Sequence, residues 1–389
     1  MRIGLIAGEF SPQQGGLGDF TRELGRALVR AGHSAHVLAP ALPGAASRET
    51  LDGLSITRGV SGWGWRTPAA LARFAAANRI EVLNLQYQAA AYAMHPAINL
   101  LPKLLRGTPP LVVTFHDLRA PYLFPKAGPL RARSILALAR GAAGAIVTNP
   151  EDEAILRAAG LTRVRAIPIG SNIRPADLPD FDVMAWRAAR HIPAQAALIG
   201  YFGFLNESKG GEVLLRALAA LRAQQRDVAL LLVGGQTGAS DATNVAYARR
   251  LEALIASLGL DGRVFRTGFI DDRGVSEAFA ACTLFALPYR DGVSLRRGTL
   301  MAAFAHGSAI VTTTPRVPLP QLPPGEAYAL VPPDDAPALA SAIGALLDDP
   351  DRLAHLRAGS LAARRHFGWD EIALQTRLAL ADFAKTGLD

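Results

Sequence analysis

Short apolar runs alternate along this chain with stretches whose apolar residues recur every three or four positions. In the first half the runs are "RIGLIAG", "SAHVLAP", "EVLNLQY", "PLVVTFHD", "GAIVTN" and "VRAIPIG". Runs this short and this apolar predict strands covered on both faces, as in parallel sheets. Helical periods fill most of the gaps. From Asp19 to Ala31, for example, Phe20, Leu24, Leu28 and Ala31 share one face, and Gly32 supplies the stop.

The rhythm breaks at "NIRPADLPDFDVMAWRAARHIPAQ", rich in prolines and acids, which reads as a linker. It then restarts with "ALIGYFGF", "VALLLVGG", "RVFRTGF", "TLFALPY", "SAIVTTT" and "AYALVPP" as strands. Helices are expected near 209–225, 243–258, 272–281 and 298–306. Three more, near 334–348, 350–366 and 370–385, close the chain. Alternating strands and helices predict an α/β fold with parallel sheets. The restart predicts two Rossmann-like, doubly wound domains facing each other across a cleft. The first is expected over 1–185, completed by a C-terminal helix at about 369–389, and the second over 186–368.

Composition sets bounds on this picture. The chain has 389 residues, half of them hydrophobic and 19% charged, as a two-domain globular protein does. Its one cysteine, Cys282, excludes an internal disulfide and reads as a core thiol in "FAACTLFALP". The apolar run in "MRIGLIAGEF" is too short before Glu9 for a signal peptide, and no apolar stretch approaches the ~20 residues of a spanning helix. A cytoplasmic protein is expected, with room for peripheral contact at the inner face of a membrane.

The net charge of +8 is uneven: residues 1–190 hold 22 Lys+Arg against 13 Asp+Glu, and residues 191–389 hold 19 against 20. The basic half points to an anionic acceptor or a phospholipid surface rather than to nucleic acid. Arg22, Arg26 and Arg30 recur every four residues on the first predicted helix, and Lys103, Arg106, Arg131 and Arg133 add to the same half. A solvated arginine face explains the same pattern.

Two stretches carry candidate chemistry. "QQGGLGDF" places Gly15, Gly16 and Gly18 between the first strand and the first helix. It lacks the G-x-G-x-x-G spacing of a nicotinamide site and the Lys-Ser/Thr ending of a P-loop, so it reads either as a tight turn or as a site where backbone meets an anion. In the second half, "GFLNESKGGEVLLRAL" sets Lys209 at a loop-to-helix junction, the only lysine between residues 127 and 384. A lone cation near a helix start suits phosphate. "GVSLRRGTLMAAFAHG" is unusual at its start. Arg296 and Arg297 stand at the positive end of a helix with no acid in its first turn. With the free amides of Gly298 and Thr299 they would cradle a diphosphate. The alternative for all three cations is an ordinary solvated surface.

These segments, in this order and over nearly the whole length, resemble the family-4 retaining glycosyltransferases, which have the GT-B fold. The resemblance rests on "GGLGDFTRELGRALVRAGHSAHVL", "TFHDL", "VTNPEDEAILRAAG", "IPIGSNI", "FGFLNESKGGEVLLRAL", "DGVSLRRGTLMAAFAHGSAIVTT" and "FGWDEIALQTRLAL". It implies a metal-independent transfer of a hexose from a nucleotide-diphosphate sugar to a hydroxyl acceptor (a glycan, a lipid-linked or a small molecule), with no further cofactor. Gly15, Gly16 and Gly18 would border acceptor and donor phosphates. His116 would contact the transferred sugar from the first domain, and Lys209, following Gly203, would hold the donor diphosphate. Asp291 and Gly292 match the family's Glu-Gly pair that holds sugar hydroxyls, and Ser294 to Thr299 match its phosphate-binding helix start.

The chain departs from the family at two places. Phe204 stands where an arginine usually follows the glycine, and Arg296 or Arg297 would have to replace it in space. The glutamate that usually holds the ribose falls on Thr299, counted forward from Asp291, or on Ala302, counted back from Gly307. Two other functions fit the same fold: a nucleotide-sugar epimerase or hydrolase, and a non-catalytic binding subunit.

Overall fold

The computed structural model describes residues 1–13, 15–105, 107–118, 128–235, 242–319 and 321–385. Arg106 and the Arg131 side chain lie outside the described residues. The chain forms two compact units: Met1–Asn172 with Phe367–Asp389, and Ile173–His366. Each matches the expected α/β class.

The first unit is built on one eight-stranded sheet. Its strands are β1 (Arg2–Ala7), β2 (Ser34–Pro40), β3 (Arg48–Leu51), β4 (Leu54–Val60), β5 (Val82–Tyr87), β6 (Leu111–Phe115), β7 (Gly144–Val147) and β8 (Val164–Ala166). Their order is β3-β4-β2-β1-β5-β6-β7-β8, and every pair is parallel except β3 with β4. The hairpin β3–β4 does not show in the alternation of apolar runs. Its signal was the Asp52-Gly53 turn, where both residues take left-handed φ (56° and 81°) as a two-residue hairpin requires.

Both faces of the central strands are covered, which is why they read as unbroken apolar runs. Leu83, Leu85, Val113 and Phe115 pack on one face. Leu5, Phe20, Leu24 and Val112 pack on the other, together with Phe383 from the last helix, Trp369–Lys385. That helix is fitted closely. A Cβ at Gly144 would lie 2.3 Å from the Phe383 ring, and one at Gly170 would lie 2.7 Å from the Trp369 indole. Trp369 Nε1 also donates to Ser171 O at 2.7 Å. Burying the Phe383 ring alone stabilises the unit by about 2–3 kcal/mol.

The second unit repeats the plan with β9 (Ala197–Phe202), β10 (Val228–Val233), β11 (Val264–Arg266), β12 (Leu284–Leu287), β13 (Ile310–Thr313) and β14 (Ala329–Val331). The order is β11-β10-β9-β12-β13-β14, all parallel. Cys282 is buried, burial pushes its thiol up, and its Sγ would lie 2.9 Å from a Cβ at Gly200. It is a core thiol, as its setting in the sequence suggested.

The proline- and acid-rich segment belongs to the second unit. Ala176 N–H donates to Ser276 Oγ at 2.9 Å. A helix, Val183–Ala188, is capped by the Asp182 carboxylate, and Arg187 donates to the carbonyls of Ala194, Ala196 and Ala281. The chain therefore passes between units after Asn172, ahead of the expected residue 185. Proline and acid content marked the crossing but not the docking that follows it.

In both sheets strand order reverses beside the first strand, between β1 and β5 and between β9 and β12. Parallel α/β sheets bind ligands outside the carboxyl ends of strands at such reversals. The loops after β1, β6, β9 and β12 are the ones that carry the residues singled out above.

Candidate active site

In the second unit, two loops are stitched together so that two cations share one aromatic ring. β9 ends in Gly203 (φ +101°), where a Cβ would lie 2.6 Å from Thr299 Cγ2. Only glycine lets that loop lie against the start of the helix Gly298–Ala305. Gly210 (φ +71°) is equally constrained, since a Cβ would fall 2.0 Å from Pro288 O. The Arg290 amide donates to Ser208 O at 3.0 Å and closes the seam.

This arrangement brings Lys209 Nζ to 5.9 Å from the Tyr289 ring centre and the Arg297 guanidinium to 4.7 Å from the same ring. Tyr289 is fully buried, and its hydroxyl is 2.5 Å from Thr299 Oγ1. Arg297 is ion-paired with the Asp291 carboxylate. The Arg297 Nε and Ser294 Oγ are buried without hydrogen-bond partners among the described residues.

Gly292 (φ +79°) lets the acid's loop turn against β13, because a Cβ there would lie 2.5 Å from Thr314 O. Val293 N–H and Thr313 Oγ1 hydrogen-bond across the same seam, to Thr313 O and Tyr289 O. Arg297 is the N-cap of the helix and gives it no side-chain cap, so the first amides, on Gly298 and Thr299, have no intrahelical acceptor.

The electrostatics follow from the geometry. Burial first, then the Arg297 charge, pull the Lys209 pKa down to about 8, with Asp291 acting in the opposite sense. Two cations and one carboxylate beside open helix amides leave positive charge uncompensated, and an oligoanion would complete it.

The structure thus brings Lys209, Asp291, Arg297 and Thr299 together around Tyr289. Gly203, Gly292 and Gly298 stand where backbone must come close or stay open. Arg296 is half-buried beside Arg297. Tyr289 was not singled out from the sequence. Its one signal was its place directly after an apolar run, in "FALPYRDG". The Asp291–Arg297 pair was not foreseen either, since five residues of irregular loop separate the partners.

Of the two departures, Phe204 is 48% exposed and Arg297 is the cation that joins Lys209. Neither candidate for the ribose contact offers a carboxylate. The Thr299 hydroxyl is bonded to Tyr289, and Ala302 is buried in the helix core.

In the first unit His116 directly follows β6. Its Nε2 is 3.0 Å from Gln86 Oε1, and the Phe20 ring meets it edge-on at 4.5 Å. Burial pushes its imidazole down to about 3, so it is neutral at physiological pH. The glycine loop holds an anion of its own: Glu9 Oε1 accepts the Leu17 amide at 3.1 Å, inside the first turn of the helix Gly16–Arg30. A Cβ on Gly15 would lie 2.0 Å from that oxygen, and Gly18 packs on the Glu9 and Phe10 backbone, while Gly16 faces open space. Gly15 and Gly18 therefore make room for an internal carboxylate at the place where phosphate was expected, because the helix end attracts either anion.

Trp63 packs inward, donating Nε1–H to Gly8 O at 3.1 Å, whereas Trp65 is 63% exposed. The arginine stripe is neutralised within the fold. Arg22 pairs with Asp52 at 2.8 Å, Arg26 with Glu23 and Asp52 at 3.2 and 3.3 Å, and Arg30 with Asp370 at 2.6 Å. The stripe needs no outside anion. Among the described residues there is no cluster of His, Cys, Asp and Glu able to hold a metal ion, and no helix is long and apolar enough to cross a membrane.

A family model described as "Glycosyl transferases group 1" matches residues 196–349, and one described as "Glycosyl transferase 4-like domain" matches residues 15–170. A D-inositol 3-phosphate glycosyltransferase of Xylanimonas cellulosilytica is 31% identical over 247 residues, 60% of this chain and 55% of that protein. The chain thus spans about half the length of such relatives. A phosphatidyl-myo-inositol mannosyltransferase of Mycolicibacterium smegmatis is 27% identical over 388 residues, 96% of this chain and 92% of the other. Among solved structures, a sucrose-phosphate synthase from Thermosynechococcus elongatus superposes with a TM-score of 0.76 at 24% identity, covering 99% of this chain and 100% of that one. Anabaena HepE, in complex with UDP and glucose, gives 0.74 at 20% identity, covering 98% and 100%. These structural likenesses establish the fold.

Proposed function

The chain belongs to the glycosyl transferases of group 1, and from that premise we propose that it is a retaining, metal-independent glycosyltransferase. It moves a hexose from a nucleotide-diphosphate sugar to a hydroxyl. The observation that carries this reading is the pairing of Lys209 and Arg297 on the Tyr289 ring beside the open amides of Gly298 and Thr299.

In the reaction the bond from the sugar's anomeric carbon to the diphosphate oxygen breaks, and a bond to the acceptor oxygen forms on the same face. The acceptor's proton passes to the departing diphosphate. Negative charge grows on that diphosphate, and fixed cations and helix amides stabilise growing charge most where water is excluded. Lys209 and Arg297 take this role, with Arg296 beside them, and Asp291 orients sugar hydroxyls. The test is incubation with a panel of nucleotide sugars, with and without hydroxyl acceptors. Product formed only with acceptor supports transfer. Free sugar or an isomerised donor without acceptor supports the hydrolase or epimerase instead. A chain that turns over no donor at all, yet binds one, is a binding subunit.

The Lys209 pKa makes the donor site sensitive to pH. The free protein loses the lysine proton near pH 8, whereas a bound diphosphate favours the charged form. Affinity for a nucleoside diphosphate should therefore be flat below pH 8. It should then fall by about tenfold per pH unit above it until the raised pKa of the complex is reached. Calorimetry between pH 6 and 10 reads this directly. An affinity flat through pH 9 contradicts a diphosphate on Lys209.

For the acceptor, the phospholipid-named relative favours a lipid-linked polyol. Peripheral contact with an anionic bilayer then falls to a different surface from the arginine stripe. Leu104 and Leu130 are 40% and 69% exposed, on two helices that pack on each other, with Lys103 beside Leu104 and Arg133 three residues after Leu130 in sequence. Apolar side chains flanked by cations suit such an interface. Leu104→Glu with Leu130→Glu should abolish co-sedimentation with phosphatidylglycerol vesicles at low salt. Replacing Arg22, Arg26 and Arg30 by glutamine should leave sedimentation intact and lower the thermal midpoint. The reverse pattern would return the membrane contact to the first helix, and no sedimentation of the wild type would favour a soluble acceptor.

A further inference from the structure

Asn84 and Gln86 stand where a central parallel strand ordinarily carries valine or leucine. Both are fully buried, opposite Leu5 and Ala7 of β1 and opposite Val112 and Thr114 of β6. Uncharged amides in such a place cost free energy unless they are bonded. These two are bonded in a chain with a fixed direction.

Asn84 Nδ2 donates to the backbone carbonyl of Val112 at 3.3 Å and to Thr114 Oγ1 at 2.9 Å. A backbone carbonyl only accepts, so the amide nitrogen of Asn84 must face β6 and its Oδ1 must face Gln86. Gln86 Nε2 therefore donates to Asn84 Oδ1, at 2.5 Å, and Gln86 Oε1 is left for His116 Nε2 at 3.0 Å. An amide oxygen also only accepts. The proton of the neutral imidazole thus sits on Nε2, and Nδ1 keeps its lone pair. Nδ1 has no hydrogen-bond partner among the described residues.

We infer that Asn84 and Gln86 are positioning residues that lock His116 in its Nε2–H tautomer, so that Nδ1 serves as a fixed acceptor for a sugar hydroxyl. This rests on the transferase reading above and on the family resemblance, which implies that His116 contacts the transferred sugar. Among the described residues no charged group is recorded against the ring. Phe20 comes from the first helix and Gln86 from β5; the His116 backbone amide is bonded to Tyr87 O, and its chain neighbour is Asp117. Burial alone accounts for the lowered imidazole pKa, so the acceptor persists through the working pH range. Leu5, Ala7 and Val112 stand opposite them on the neighbouring strands, so it is the polarity of the two amides that the inference explains.

The test uses the full chain with 15N-labelled histidine and long-range proton–nitrogen correlation spectra, with His116→Gln to assign the signal. The wild type should show the Nε2–H form, unchanged from pH 5 to 8. Gln86→Leu should show mixed tautomers and lower kcat/KM for transfer about tenfold, and because Asn84 Oδ1 and His116 Nε2 both lose their partner its thermal midpoint should fall as well. In Gln86→Glu the new carboxylate raises the His116 pKa, and below it Nδ1 gains a proton and stops accepting. Transfer by this variant should fall as pH drops from 7.5 to 5, where the wild type is flat.

An Nδ1–H ring in the wild type overturns the inference whatever the protein's activity. A Gln86→Leu variant with mixed tautomers and unaltered kinetics overturns the positioning role. Failure of the transferase reading itself appears separately, as a wild type that turns over no donor while its tautomer is still read.

Discussion

Replacing Lys209 or Arg297 by alanine is expected to slow glycosyl transfer by about 10²- to 10³-fold each, as loss of one preorganised charge-stabilising donor does in other enzymes. Affinity for a free nucleoside diphosphate should fall in both. The two variants should part company in stability. At pH 7 Lys209 carries a charge that burial and Arg297 disfavour, since its folded pKa lies near 8, below the ordinary lysine value. That penalty is present below pH 8 and fades as pH rises toward the unfolded value. Lys209→Ala should therefore leave the thermal midpoint unchanged or raise it. Arg297→Ala instead takes the guanidinium away from the Asp291 carboxylate, which is only 15% exposed. Breaking such a pair from one side is destabilising, here by about 1–3 kcal/mol. Adding Asp291→Asn to Arg297→Ala should recover stability but not transfer. Kinetics and melting curves on the three variants check this. Equal kinetics in all of them and the wild type would remove both cations from the reaction.

Much of this frame was legible because parallel strands covered on both faces announce themselves as apolar runs. The runs after which Lys209 and Asp291 fall are β9 and β12, and the strand order shows why those two matter: the sheet reverses between them. Sequence spacing does not carry strand order, so the convergence of the two loops on Tyr289 was hidden. The arginine stripe stayed open between two readings for a related reason. Its partners Asp52 and Asp370 lie 30 and 340 residues from Arg22 and Arg30, and like charges at helical spacing looked unneutralised. The glycine loop reads as a tight turn or as an anion site, and in the fold a carboxylate of the same chain, Glu9, accepts an amide of its helix. His116 could be picked out by its motif, but its partners Gln86 and Asn84 look like ordinary polar interruptions of a strand. Only the pairing of β5 with β6 gives them a direction.

Asp291→Asn separates the sugar from the diphosphate in the donor site. Asparagine keeps the shape and an accepting oxygen but removes the charge. If Asp291 orients the sugar hydroxyls, transfer should fall about 10²-fold, because a charged hydrogen bond to the reacting sugar is stronger than a neutral one. Free nucleoside diphosphate, which has no sugar to orient, should bind as well as before or better, since Arg297 no longer carries a competing carboxylate. The variant should also shift the pH dependence of binding in a set direction. Asp291 raises the Lys209 pKa, so its neutralisation lets that pKa fall further below 8. The decline of diphosphate affinity with rising pH should then begin at a lower pH than in the wild type. Calorimetry across pH, beside kinetics with intact donor, reads all three effects. A collapse of free diphosphate binding would make Asp291 a strut that holds Arg297 in place for the phosphates. Unaltered transfer would leave the carboxylate with no part in the reaction beyond its ion pair.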